Sequence, residues 1–395
     1  MNRRLQISAH TLVSALGRGG AAHYQALKNS QGGLRVCDLD GVELDTWIGR
    51  VDGLEDVSIE STLAEFDCRN NRLGQLCLEQ DGFIEQVELA RSRYGDHRIG
   101  VFMGTSTSGV QQTEMAYAAR DVDSGALPAD FNYRGTHNMF SITDFTRQYL
   151  GLNGPAMVVS TACSSSAKVF ANAWRYMRAG LCDAAIVGGV DTLCRMTLYG
   201  FNALQLVSQQ PCRPADQHRD GINIGEAAGY ALLEWEQDEP VISLLGYGES
   251  SDAYHMSSPH PEGMGAAMAM RQALEMSDLK ASEIDYINLH GTATPANDLS
   301  EDRALMNVFE GRVPCSSTKG FTGHTLGAAG ILEAVFSCIA IEQGLMPASL
   351  NTHVVDEAIH SPILLESREQ DIRRVMSNSF GFGGSNASLI LGYPS

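Results

Sequence analysis

Short apolar runs alternate along this chain with longer stretches of helical periodicity. Ile99-Gly100-Val101-Phe102-Met103, Ala184-Ala185-Ile186-Val187, Tyr230-Ala231-Leu232-Leu233 and Ile284-Asp285-Tyr286-Ile287-Asn288-Leu289 have the length and apolar continuity of strands. Leu5-Gln6-Ile7-Ser8-Ala9-His10 reads as a first strand, and Met157-Val158-Val159-Ser160 as another. The latter runs into Cys163-Ser164-Ser165-Ser166-Ala167, which opens an apolar-periodic helix reaching Met177. A second apolar helix passes through Ile331, Leu332, Val335, Phe336 and Ile339. Alternation of this kind predicts an α/β architecture.

The pattern also suggests a duplication. Glu236-Gln237-Asp238-Glu239-Pro240 is a polar stretch ending in proline, and it divides the chain into an N-terminal half, 1–239, and a C-terminal half, 240–395. In the first half a strand ends at Ser160-Thr161 and a helix start of small residues carries Cys163. In the second, Val313-Pro314-Cys315-Ser316-Ser317-Thr318 leads into a glycine-rich helix start carrying His324. Each half thus offers one reactive side chain to a common seam. The section from Thr105 to Arg147, with Tyr117, Phe131, Tyr133, Phe140 and Phe145 among glycines and polar residues, reads as a cap or subunit-contact region.

Composition narrows the chemistry. The 395 residues are 44% hydrophobic and 19% charged, as in an ordinary globular enzyme, and no apolar run reaches the ~20 residues of a membrane helix. A formal charge of −19 argues against nucleic acid as a partner, because phosphate binding relies on clustered Lys and Arg. Nine scattered cysteines, without a C-x-x-C pair, argue for a reducing compartment and against structural zinc, so the expectation is a cytoplasmic protein with no metal. Arg3-Arg4 could begin a signal peptide, but Gln6, Ser8 and His10 interrupt the apolar run that such a peptide needs. Neither a G-x-x-x-x-G-K-[ST] loop nor a G-x-S-x-G elbow is present.

Three residues then carry the chemistry. A thiol at a helix N-terminus faces unpaired N–H groups and the positive end of the helix dipole, which predicts a lowered pKa for Cys163. His290, in His-Gly-Thr-Ala-Thr, and His324, in Gly-His-Thr-Leu-Gly, lie far along the chain in glycine-rich settings. One cysteine and two distant histidines point to covalent acyl chemistry.

The motifs Thr161-Ala162-Cys163-Ser164-Ser165, His290-Gly291-Thr292-Ala293-Thr294, Lys319 with Gly323-His324, and Asn378-Ser379-Phe380-Gly381-Phe382-Gly383-Gly384-Ser385-Asn386 resemble those of the β-ketoacyl-acyl carrier protein synthases of the Cys-His-His type, in the thiolase superfamily. Arg219-Asp220-Gly221, Gly225-Glu226 and Ser250–Met256 extend the resemblance over nearly the whole chain. Departures are Ala227, Ala293 and Ser385, where relatives commonly carry Gly, Gly or Ser, and Thr, and a first strand without the usual Thr-Gly pattern. Gly104-Thr105-Ser106-Thr107-Ser108-Gly109 loosely resembles condensing enzymes of aryl-polyene and other specialised pathways.

The resemblance implies a thiolase-like fold, a duplicated αβαβα five-layer sandwich, and decarboxylative condensation of a malonyl thioester with an acyl chain held on Cys163. It implies no cofactor of the protein's own, since the phosphopantetheine arm arrives on the acyl carrier protein, and a homodimer or a heterodimer with a chain-length-factor-like homologue. His290 and His324 would flank the malonyl group as neutral donors, ordered by Lys319 and Glu333. The N–H groups of Cys163 and Phe382, with Gly381 and Gly383 freeing the loop, would form the oxyanion hole. Thr292 and Thr294 would bind the pantetheine arm, with Phe201 and Phe380 also contacting substrate. Arg69 and Arg72 stand in the region where relatives carry carrier-docking cations. The competing reading is a non-catalytic chain-length-factor-like subunit, which would lack the nucleophile.

Overall fold

A computed structural model describes residues 4–236 and 241–394. Ten strands form the frame. Those of the first half are β1 (Leu5–Ser14), β2 (Ile99–Gly104), β3 (Ala156–Val159), β4 (Ala184–Asp191) and β5 (Ala227–Trp235). Those of the second are β6 (Ser243–Ser251), β7 (Tyr286–Asn288), β8 (Cys315–Ser316), β9 (Arg374–Gly381) and β10 (Ser385–Gly392).

The duplication expected from the sequence is visible in their pairing. The first half runs β3-β2-β4-β5-β1 and the second β8-β7-β9-β10-β6, the same order of first-to-fifth strands. Orientation repeats as well. β1 with β5 and β5 with β4 are antiparallel, while β4 with β2 and β2 with β3 are parallel. β6 with β10 and β10 with β9 are antiparallel, while β9 with β7 and β7 with β8 are parallel. A short antiparallel pairing, Leu5 with Leu244 and Gln6 with Ser243, joins the halves. The polar boundary at Gln237–Pro240 lies outside the described residues.

The strands are apolar on consecutive positions because both faces are covered. Phe102, Ala185 and Val187 face a central layer, whereas Val101, Met103 and Ile186 face an outer one. The central layer holds two helices, α4 (Ser165–Arg178) and α7 (Ala329–Gln343), and its core also takes in Tyr286, Val375 and Leu389 of the second sheet. The outer layer of the first half contains α1 (Arg69–Leu78), α2 (Phe83–Tyr94) and α3 (Ser141–Tyr149). That of the second contains α5 (Met264–Ser277) and α6 (Pro295–Phe309). Helix, sheet, helix, sheet, helix gives the five layers. The stretch Leu326–Gln343 is long and apolar enough to cross a membrane by composition alone, but 89% of it is buried inside the protein. A helix apolar on all sides belongs in such a central position.

Two boundaries differ from expectation. The strand expected over Ile284–Leu289 is confined to Tyr286–Asn288. Ile284 and Leu289 pack in the outer core of the second half, and Leu289 still donates its N–H to the carbonyl of Ser316 at 2.9 Å. Helix α4 begins at Ser165, so Cys163 sits in the turn before it. The Thr105–Arg147 section contains one helix over Val110–Ala118, a largely exposed stretch with Tyr117, Val122 and Tyr133 uncovered, and the start of α3.

Candidate active site

The ends of β3 and β8 and the loop between β9 and β10 converge at the seam of the two halves. Cys163 follows β3 through Ala162, whose φ of 53° is a conformation L-residues rarely adopt. That turn is pinned by Ser165 Oγ, which accepts from the N–H of Thr161 at 2.9 Å and donates to the carbonyl of Ala162 at 2.6 Å. His324 follows the short helix Lys319–Thr322. Its backbone is bracketed by residues from before β5: its N–H donates to the carbonyl of Asn223 at 2.7 Å, and Gly225 N–H donates to its own carbonyl at 3.0 Å. The result is a contact of 2.9 Å between His324 Nε2 and Cys163 Sγ, across 161 residues of sequence.

His290 lies two residues beyond β7. Its ring stands edge-on to that of His324, with centroids 5.4 Å apart, and packs against Phe380 at 6.0 Å. Both histidines and Cys163 are buried. Burial, reinforced by the nearby Lys319 charge, holds the pKa of His324 well below 6.5. The same two causes, and the neighbouring His324, hold that of His290 well below 6.5. Both are therefore neutral near pH 7.

The thiol departs from the sequence expectation. Burial pushes Cys163 up to about 11, against the opposing pull of Lys319 and of the backbone N–H groups of Phe382 and Cys163 itself. Desolvation of the charged form outweighs these opposing groups. At rest the group is a thiol beside a neutral imidazole.

Lys319 Nζ is bonded to Glu333 on α7, and both side chains are 2% exposed. Burial raises Glu333 to about 7 in spite of that partner. Lys319 acts on all three reacting groups, and at Cys163 Glu333 opposes it. Cys163, His290 and His324 offer donor atoms all within 4.8 Å of one another, a spacing that could also hold a metal ion. However, the same field that favours an anion on sulfur opposes a second cation there.

A cavity of about 250 Å³ leads to the sulfur, lined by Phe201, Thr292, Thr294, Phe380 and the loop Gly381–Gly384, among others. Thr292 and Thr294 have their hydroxyls 3.0 Å apart, so both can face one polar chain. The rings of Phe201 and Phe382 meet at 5.6 Å and wall the cavity. Gly383 has φ of 81°, which a turn aiming the Phe382 N–H at the sulfur requires of glycine. All the sequence-predicted catalytic, oxyanion and substrate-contact residues are thus brought together.

The two docking cations are not. Arg69 is the first residue of α1 and its side chain turns inward, where it donates to the fully buried Glu226 at 2.6 and 3.0 Å and to Glu55 at 2.6 Å. Arg72 is held by both carboxylate oxygens of Asp67, at 2.6 and 2.8 Å. Their spacing in the first turn suggests a solvent face, whereas nine of the ten residues of α1, all but Arg72, are buried. Arg69 is a structural ion pair and carries no free charge to a partner.

One supporting residue escaped the sequence reading. Glu301 on α6 accepts the backbone N–H groups of His290 at 2.9 Å and Gly291 at 2.8 Å, and burial raises it to about 7. Its signal was present in Asp298, Glu301, Asp302 and Leu305. These residues occupy the i, i+3, i+4, i+7 stripe of a helix, the positions that face inward.

Residues 74–239 match the family described as beta-ketoacyl synthase, N-terminal domain, and residues 242–353 the corresponding C-terminal domain. The mitochondrial 3-oxoacyl-[acyl-carrier-protein] synthase of Arabidopsis thaliana is 32% identical, covering 98% of this chain and 93% of its own. The 3-oxoacyl-[acyl-carrier-protein] synthase 2 of Staphylococcus aureus is 33% identical over 78% of this chain and 80% of its own. Among solved structures, the ketosynthase ApeO in complex with its chain length factor ApeC, from Xenorhabdus doucetiae, matches with a TM-score of 0.89 and 40% identity over 99% of this chain and 98% of that one. A beta-ketoacyl synthase from Burkholderia phymatum matches with a TM-score of 0.88 and 29% identity, over 99% of each chain.

Proposed function

Because the chain belongs to the beta-ketoacyl synthase family, with the thiolase fold, we propose that it is the catalytic condensing subunit of an acyl-carrier-linked elongation system. Cys163 Sγ attacks the carbonyl of an acyl thioester while its proton passes to His324 Nε2, and the pantetheine thiol leaves. The oxyanion formed in that step lies between the N–H groups of Cys163 and Phe382. A malonyl thioester then enters the cavity past Thr292 and Thr294. Neutral His290 and His324, each donating from an imidazole N–H, hold the thioester oxygen as carbon dioxide departs and an enolate forms. The enolate carbon attacks the acyl-Cys163 carbonyl, the C–S bond breaks, the released Cys163 sulfur takes up one proton from solvent, and a 3-oxoacyl product two carbons longer leaves on the carrier.

The observation that carries this reading is the 2.9 Å contact of Cys163 with His324, beside a second neutral histidine in a cavity of about 250 Å³. It also favours a catalytic subunit over a non-catalytic partner, which has no use for three buried reactive groups. We further propose a specialised polyene or polyketide pathway and a heterodimer with a chain-length-factor-like homologue. The heterodimer is supported by the 40% identity to a chain of the ApeO–ApeC complex, above the 32–33% identity to the 3-oxoacyl-[acyl-carrier-protein] synthases, and the pathway by the Gly104–Gly109 stretch. A cytoplasmic location accords with nine free cysteines.

Intact-protein mass spectrometry after mixing with acyl-loaded carrier protein tests the assignment. Acyl mass should appear on Cys163 and vanish in Cys163→Ala, which should still release carbon dioxide from malonyl-carrier protein. Acylation that persists in Cys163→Ala would remove the nucleophile from the reading. Native mass measurement after co-expression with an encoded homologue lacking the cysteine would separate a heterodimer from a homodimer.

A further inference from the structure

The reacting thiol and imidazole come from different halves of the chain, and neither is bound to the other covalently. Something must hold their turns in register. At the end of β4, Asp191 is fully buried, and no cation pairs with it among the described residues. Its Oδ1 accepts from Thr105 Oγ1 at 2.7 Å, from the N–H groups of Ser106 and Thr107 at 2.9 and 2.8 Å, and from Thr107 Oγ1 at 2.8 Å. Its Oδ2 accepts from Ser106 N–H at 3.0 Å and from Gly327 N–H at 2.5 Å.

These donors belong to two different supports of the site. Ser106, held by the carboxylate, donates its own hydroxyl to the carbonyl of Ala162 at 3.1 Å, the residue at positive φ immediately before Cys163. Gly327 stands in the turn Leu326–Ala328, three residues after His324, and Leu326 there has φ of 53°. The fit is tight: a Cβ at Gly327 would lie 2.7 Å from Asp191 Oδ2 and 2.7 Å from both Ser106 N and Ser106 Oγ. One carboxylate therefore grips the brace of the nucleophile turn with both oxygens and the turn after the histidine with Oδ2. Six hydrogen bonds offset much of the cost of burying an acid without a counter-ion, yet burial still raises its pKa. A buried acid without a counter-ion that gathers this many donors is an expensive arrangement for a residue with no structural task beyond the strand end.

We propose that Asp191 is a positioning residue that sets the Cys163–His324 contact by tying the Thr105–Thr107 loop and the Gly327 turn to a single side chain. The proposal rests on the reading of Cys163 and His324 as the reacting pair. Asp191 touches neither of them, so its removal should change the rate of the chemical step and leave substrate binding alone.

Asp191→Asn tests it. The amide keeps an oxygen for the Thr105–Thr107 donors, but its NH₂ meets the Gly327 N–H donor to donor. Misplacing a reacting pair by about 1 Å can cost about 10²-fold, so kcat for condensation should fall by at least about 10-fold with KM for the carrier substrate within about 2-fold of wild type. The same split, smaller in kcat, should appear in Thr105→Val, which removes one donor to Oδ1 and keeps the side-chain shape. It decides the matter if Asp191→Asn cannot be recovered folded. His324→Ala is measured alongside. Wild-type kcat in folded Asp191→Asn, in Thr105→Val where only that variant is available, or a change confined to KM, overturns the positioning role. Wild-type turnover in His324→Ala would instead overturn the reading of the pair itself.

Discussion

Gly381→Ala is the sharpest test of the oxyanion hole, because the structure fixes both what the new methyl would strike and what it would spare. Gly381 has φ of −101° and ψ of 154°, extended backbone that alanine adopts without strain. The effect is therefore steric. A Cβ there would lie 2.8 Å from the carbonyl oxygen of Thr161 and 3.2 Å from the backbone nitrogen of Cys163, whereas ordinary contact begins at 3.4 Å. The loop and the nucleophile turn must separate by about 0.6 Å, the difference between 3.4 and 2.8 Å. The peptide that moves carries the Phe382 N–H, and the group it moves away from carries the Cys163 N–H. Loss of one such donor elsewhere costs about 10²–10³ in kcat, or about 2.7–4 kcal/mol, so a partial displacement should slow acylation by at least about 10-fold. Single-turnover acylation followed by intact mass reads this step alone. Carbon dioxide release from malonyl-carrier protein should stay near wild type, because the histidines that serve it are not struck. Gly383→Ala is the contrast. Nothing lies within 4 Å of its Cβ, but its φ of 81° adds backbone strain of roughly 1–2 kcal/mol. Wild-type acylation in Gly381→Ala would refute the assignment of these two N–H groups.

The same geometry gives two further outcomes. Glu301→Gln replaces one of the two carboxylate acceptors that hold His290 and Gly291 by an NH₂ group, at a cost of about 1–3 kcal/mol. Decarboxylation should fall by about 10-fold, acylation of Cys163 should change little, and equal loss of both would show a general fault in folding. The pH profile of decarboxylation should show no histidine inflection at 6.5, because burial keeps His290 and His324 neutral well below it; an inflection there that persists in Glu301→Gln and Glu333→Gln, which remove the two carboxyls raised to about 7, would mean the rings are solvated. Stability is a poorer readout of the same shifts. Depressed histidines, His23 at about 4 among them, favour unfolding as pH falls below 6.5. Glu301 and Glu333, raised to about 7, take up protons in the folded state and favour folding over part of that range.

What the sequence revealed and what it hid divide along a physical line. Reactive groups sit in short motifs whose small residues are required locally, so Cys163, His290, His324 and the glycine-rich loop were legible without coordinates. The repeat of strand and helix was legible too, because burial on both faces leaves a continuous apolar run. Charge was harder. Arg69 and Arg72 looked like a basic face because spacing alone does not say which side of a helix is covered. Only the placement of Glu226, 157 residues away, shows that Arg69 is spent inside. Asp191 was invisible for the same reason: its donors, Thr105 to Thr107 and Gly327, come from chain segments 84 to 136 residues distant.

The thiol is the case in which a correct local argument met a stronger long-range one. Lys319 and the N–H groups of Phe382 and Cys163 do pull on the thiol, yet burial leaves it at about 11, and the adjacent imidazole is neutral. A preformed thiolate–imidazolium pair would require a proton to move, in the empty site, onto a ring whose pKa lies well below 6.5. With the thiol raised and the imidazole lowered, that transfer is unfavourable. Acylation must therefore couple proton transfer to His324 with attack on the thioester, so that the new negative charge arrives on the carbonyl oxygen and not on sulfur. That oxygen is where the two backbone N–H groups can receive it. The arrangement ties the nucleophile's activation to the presence of substrate. A buried thiol held as a thiol also resists oxidation and stray alkylation between turnovers, since the reactive species is the thiolate.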